Sequence, residues 1–214
     1  MNSTETPAAH RFGAYRVAVG LLSVVLLTGA SGCGDGDAAA PPDLSTPPTN
    51  VRWQPFQGVP IPQTDQGPTA EIDNAATGFE HSPPGAGVAA MVHAVRLSVA
   101  DDSQWSNIAA REVVPGPAKD EWAVNRVQVS ISGPADPVYA PRLLGYRITE
   151  YSDQRAAVDV YSEYSDSSRA VNHTTVEWFA QDWRLRLPDP GSTTRPIEPV
   201  RELPGDTVKV EAPK

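Results

Sequence analysis

The chain has 214 residues, 40% of them hydrophobic, and 17 Lys and Arg stand against 26 Asp and Glu for a net charge of −9. That acidity disfavours nucleic acid, whose binding rests on neutralising phosphates, and it disfavours direct adsorption to anionic lipid heads. Cys33 is the one cysteine, so no disulfide forms within a chain and the core has to hold by burial alone.

Arg11 and Arg16 come first, an apolar run from Val17 to Ala30 follows, and Ser31-Gly32-Cys33 closes it. A helix crossing the hydrocarbon needs about 20 residues. This run is shorter and fits the apolar core of a signal peptide, with the arginines as its cytoplasmic end. Ala30-Ser31-Gly32-Cys33 resembles a bacterial lipobox, with Ala30 where that family usually carries Leu. The resemblance implies a signal peptide over residues 1–32, cleavage before Cys33 and a diacylglyceryl group on its thiol. An uncleaved anchor, or ordinary cleavage leaving a free thiol, are the alternatives. Each buried CH₂ is worth roughly 0.8 kcal/mol, so two acyl chains suffice to hold the protein. The expected location is the outer, extracytoplasmic face of the cell membrane, attached through lipid on Cys33.

Residues 33–50 are, after Cys33, Gly, Asp, Ala, Pro, Thr, Ser and Asn with one large apolar side chain, Leu44. Too little apolar surface is present to offset ordering entropy, which predicts a disordered tether. Residues 51–77 interleave Trp53, Phe56, Val59 and Ile61 with Pro55, Pro60, Pro62 and Pro68. Each proline fixes φ and removes a donor, which predicts an extended strap rather than a helix or inner strand. Its aromatics seek burial. They either pack on their own domain or offer Trp53, Phe56, Val59 and Ile61 to a partner protein.

Ser82 can cap a helix and Pro83 suits its first turn. The stripe Val88, Met91, Val92, Val95 and Val99 follows at helical spacing. His93 and Arg96 fall off that stripe, so His93 is expected at the rim. Trp105, Ile108, Ala109 and Glu112 mark a second helix, and Pro117 to Asn125 a third, followed by strand-like alternation at Val127, Val129 and Ile131. The period then becomes two. Leu144, Tyr146 and Ile148 alternate, Ala157 to Tyr164 and Val171 to Ala180 follow, and Trp183, Leu185 and Leu187 alternate with Arg184 and Arg186. This predicts an antiparallel meander with one buried face. Residues 189–214 are proline-rich and polar and read as a tail, with Thr207 to Val210 able to add a short edge strand.

Helices first and a meander second make an α+β layout. Over Gly78 to Pro188 it resembles the cone-shaped nuclear-transport-factor-2-like fold. The carrying features are the Ser82-to-Val99 helix and the ending Thr174-Thr175-Val176-Glu177-Trp178-Phe179 with Asp182-Trp183-Arg184-Leu185. The resemblance implies N-terminal helices packed on a curved antiparallel sheet across residues 78–188. Trp53-Gln54-Pro55-Phe56-Gln57-Gly58-Val59-Pro60, Thr77-Gly78-Phe79 and Val113-Val114-Pro115-Gly116-Pro117 are similar to an actinobacterial family of envelope lipoproteins associated with conjugative elements. That likeness implies an envelope protein partner, in an assembly of the conjugation or type IV secretion kind.

No metal or nucleophile motif is present. His81, His93 and His173 stand far apart, and there is no His-Glu-x-x-His, Cys-x-x-Cys, Gly-x-Ser-x-Gly or phosphate loop. No cofactor, metal or catalytic set is expected. The cone fold also hosts isomerases and cyclases that hold an acid and a base in an apolar cup. On that alternative, the cup residues would be Asp159, His173 and Glu177. The leading expectation is a non-enzymatic, lipid-anchored binding or scaffold domain.

Overall fold

The structure, a computed structural model, describes residues 41–213. The expected lipidation site, Cys33, lies outside those residues, as do the signal peptide and the first part of the tether. The segment 41–50 forms no helix or strand, yet it is not a free tether. Leu44 packs against the core, Pro48 is buried, and the Thr49 carbonyl accepts the Asp65 N–H at 3.1 Å.

The expected strap is folded. Strands β1 (Arg52–Phe56) and β2 (Val59–Gln63) pair antiparallel around Gln57-Gly58, both at positive φ. Counting outward from that two-residue turn, the hydrogen-bonded pairs are Phe56↔Val59 and Gln54↔Ile61. Pro55, Pro60 and Pro62 therefore fall in the pairs between, where no ladder donor is needed. A second hairpin follows, β3 (Ala70–Ile72) with β4 (Ala75–Thr77).

Helix α1 (Pro83–Val99) starts where expected, with the Ser82 hydroxyl accepting the Gly85 N–H at 3.2 Å. It is buried around most of its circumference, not along one stripe, because β2 and α2 (Trp105–Glu112) cover the side turned away from the sheet. His93 is therefore 1% exposed, which corrects its expected place at the rim. Helix α3 (Pro117–Arg126) ends in the buried Arg126, whose guanidinium donates to the Ala100 carbonyl at the end of α1. Val127, Val129 and Ile131 do not form a strand. Instead the Ile131 N–H and Ser130 hydroxyl bond Asp102 and hold its carboxyl below the usual range. Val127 and Val129 are left exposed.

The meander is β5 (Arg142–Ser152), β6 (Arg155–Glu163), β7 (Arg169–Phe179) and β8 (Asp182–Arg186). The expected tail completes its sheet. Strand β9 (Ile197–Val200) pairs with β7 and β10 (Val208–Lys209) pairs with β5, while Val208, Val210 and Ala212 are buried. The path runs β10-β5-β6-β7-β8, all antiparallel, with α1 against β5 to β8. The layout is α+β with three helices among the described residues. Contact between α1 and the sheet is close. A Cβ on Gly87 would sit 2.2 Å from Tyr146 Cε2, and burial pushes the Tyr146 phenol well above its usual range.

Candidate functional site

Alternation divides the sheet into two faces. Tyr146, Ile148, Val158, Val160, Val176 and Trp183 join α1 in the main core. Between helix and sheet the space is filled by Met91, Tyr146 and Trp183, each under 2% exposed. Asp159, His173 and Glu177 lie on the other face, so they do not line a cup beneath the helix. The sequence sets His173 and Glu177 opposite Val176 and Trp178 and leaves open which face lines a cup; the face beneath α1 is that of Val176.

On the outer face, β5, β6 and β7 bring Arg147, Asp159 and His173 into one cross-strand row. His173 Nδ1 is 2.6 Å from Asp159 Oδ1, and Arg147 Nη2 donates to Asp159 Oδ2 at 3.0 Å. Burial alone would lower the Arg147 guanidinium, but its bond to Asp159 and the nearby anions outweigh that and raise it. Burial, followed by the Asp159 charge, pushes the Tyr161 phenol up. Glu177 belongs to a separate group, 3.4 Å from Arg186 Nη1, and Arg186 also bonds Asp189. A cleft of about 310 Å³ runs past His173, Arg155, Thr175 and Arg186 under the loop 187–196. This loop bridges a gap on the β7 edge, since β8 pairs down to Thr175 and β9 only from Asn172.

A carboxylate on Nδ1 orients an imidazole so that Nε2 can accept a proton. Among the described residues no hydroxyl or thiol bonds Nε2, whose nearest acid, Glu198, is 4.0 Å away. His173 itself is 39% exposed. The row is an open cross-strand set, an Arg147–Asp159 ion pair with the His173 imidazole at its end.

A second cluster escaped the sequence reading. His93 Nδ1 is 2.7 Å from Glu112 Oε2, and His93 Nε2 is 2.9 Å from the Trp183 carbonyl. Arg96 Nε and the Ala76 N–H both donate to Glu112 Oε1 at 2.8 Å. Another Arg96 nitrogen, Nη2, donates to the Asn74 carbonyl. The cluster ties α1, α2, β8 and the second hairpin together. The one signal for it in the sequence is a His and an Arg three apart, in a helix whose other residues are apolar but for Ser98.

The profile of a family described as a domain of unknown function, DUF8175, matches residues 27–208. The chain belongs to the DUF8175 family. No curated protein and no solved structure matches it. The matched span takes in Cys33, both hairpins, the three helices and the sheet as far as β10.

Within this DUF8175 domain, the strap packs on its own domain, the first of the two places expected for its four apolar residues. Val59 is 0% and Ile61 5% exposed, and Trp53 and Phe56 pack partly buried against the main core. Phe56 lies over the Arg96 guanidinium, 4.1 Å from centroid to Cζ. Beside the strap, between the two hairpins, is a cleft of about 470 Å³ lined by Pro55, Phe56, Ile61, Pro68, Ala76 and Arg96, with polar side chains at its mouth.

Proposed function

We propose that this DUF8175 protein is a lipid-anchored extracytoplasmic binding domain, held at the cell membrane through Cys33 and without catalytic activity of its own. The observation that carries the reading is the leader, with Arg11 and Arg16, the Val17-to-Ala30 run and Ala30-Ser31-Gly32-Cys33. Among the described residues no helix is long and apolar enough to cross a membrane. The finer reading is a cone of the nuclear-transport-factor-2-like kind, serving in an envelope assembly such as a conjugation or secretion machine. Its support is the order of helices and meander together with the sequence likeness of the strap. The second reading, a small-ligand or isomerase-like cup, has the Asp159–His173 pair in its favour. Against it stand the filled interior beneath α1 and the open surroundings of His173.

The test is a Cys33→Ala variant expressed with its own leader. Wild-type chain should fractionate with membranes and carry acyl mass on its N-terminal cysteine, and the variant should do neither. Identical fractionation and an unmodified thiol in wild type would overturn the anchor.

A further inference from the structure

We infer that the cleft between the two N-terminal hairpins binds a carboxylate carried on an apolar body, with Arg96 as its anchor. The argument begins with proton accounting in the cluster beneath the cleft. The Trp183 carbonyl can only accept, so His93 Nε2 carries a hydrogen. One more proton lies between His93 Nδ1 and Glu112 Oε2. If it is on the imidazole, His93 and Arg96 are cations and Glu112 an anion. If it is on the carboxyl, His93 and Glu112 are neutral and Arg96 is the cation. Either way the buried cluster carries one surplus positive charge.

Arg96 is 2% exposed, and its surplus emerges at one atom. Nε and Nη2 are bonded to Glu112 and Asn74, while Nη1 makes no hydrogen bond among the described residues. The nearest acid to Nη1 is Glu71 Oε2, at 4.0 Å and on a side chain 60% exposed. That is an ion pair too long for a hydrogen bond, across water-accessible space. Burying a charge this deeply is costly unless it is paired, and the cleft is where a pair can be made. Phe56, Ile61, Pro55 and Pro68 line part of it and can cover a small apolar body, and Arg52, Asp65 and Glu71 are the other charged residues of the same lining. A volume of about 470 Å³ is within the range of small-ligand sites. The single free Nη1 matches a carboxylate better than a phosphate, which brings about −1.5 to −2, and Asp65 and Glu71 on the same lining, offset in part by Arg52, also disfavour the larger charge. Glu71 holds the mouth as a weak internal substitute that a ligand carboxylate displaces. The site does not depend on the anchor, and loss of lipidation would leave it standing.

The experiment titrates the full-length chain with benzoate, benzamide, and a short peptide ending in Phe as free acid or as amide, followed by amide chemical shifts. Benzoate, the free-acid peptide, or both should bind, with shifts around Phe56, Ile61 and Thr64. The two amides should not. Benzoate alone identifies a small acid, and the peptide acid alone identifies a chain terminus. Arg96 variants break a buried network, so the test substitution is the exposed Glu71→Gln, which should tighten acid binding by about two- to fivefold. Amides binding as well as acids, no binding by either acid, shifts confined to the outer face, or an unchanged affinity in E71Q would each overturn the assignment.

Discussion

At residue scale, Glu112 is what keeps two cationic or proton-rich neighbours inside the core. Its two oxygens receive Arg96, the Ala76 N–H and the proton shared with His93. Glu112→Ala would leave those donors unmet and the Arg96 charge unmatched. Removing one partner of a buried ionic network costs about 3–5 kcal/mol. Urea denaturation of E112A should show that loss as a lower midpoint with an unchanged slope. A loss below about 1 kcal/mol, the worth of one ordinary hydrogen bond, would mean that water replaces the carboxylate. The one-stripe wheel carried only a hint of this, the His93 and Arg96 spacing, and gave Glu112 no part in it. That wheel assumes solvent on the far side of α1, whereas the far side is covered by β2 and α2. Asp159 and His173 were legible as strand residues, but their pairing came from register, which sets them directly opposite each other.

At element scale, the proline-rich strap shows how a local rule can hold and still mislead. Proline excludes an inner strand, and β1–β2 is indeed a separate two-stranded ribbon. What the composition hid is the spacing, which puts Pro55, Pro60 and Pro62 where the ladder asks for no donor. Two effects of opposite sign meet at Gly87. Helix propensity favours Ala over Gly by about 1 kcal/mol. The new methyl, however, would lie 2.2 Å from the buried Tyr146 ring, and overpacking costs about 1–3 kcal/mol or more. G87A should therefore melt lower than wild type. A higher melting temperature would show that α1 and β5 can move apart.

At the scale of the whole molecule, the last residues close the far edge of the sheet. Val208 pairs with Tyr146, and Val208, Val210 and Ala212 enter the main core or lie buried beside it. A fully buried valine is worth about 1.5–3 kcal/mol. A chain ending at Pro204 should thus lose about 3–6 kcal/mol of stability, read from denaturant unfolding. An unaltered curve would mean that β10 is ornamental to the fold.

Periodicity and punctuation determined the three helices and the four-strand meander, and composition the acidic, single-cysteine character of the chain. These are local properties, written in spacings of two and three to four residues. Only the tertiary structure decided which sheet face meets α1, where the hairpins lie, and that His93, Arg96 and Glu112 share one buried site. Those outcomes depend on what covers each surface, and partners distant in sequence supply the cover. Trp183, which binds His93 through its carbonyl, comes from the last strand of the meander.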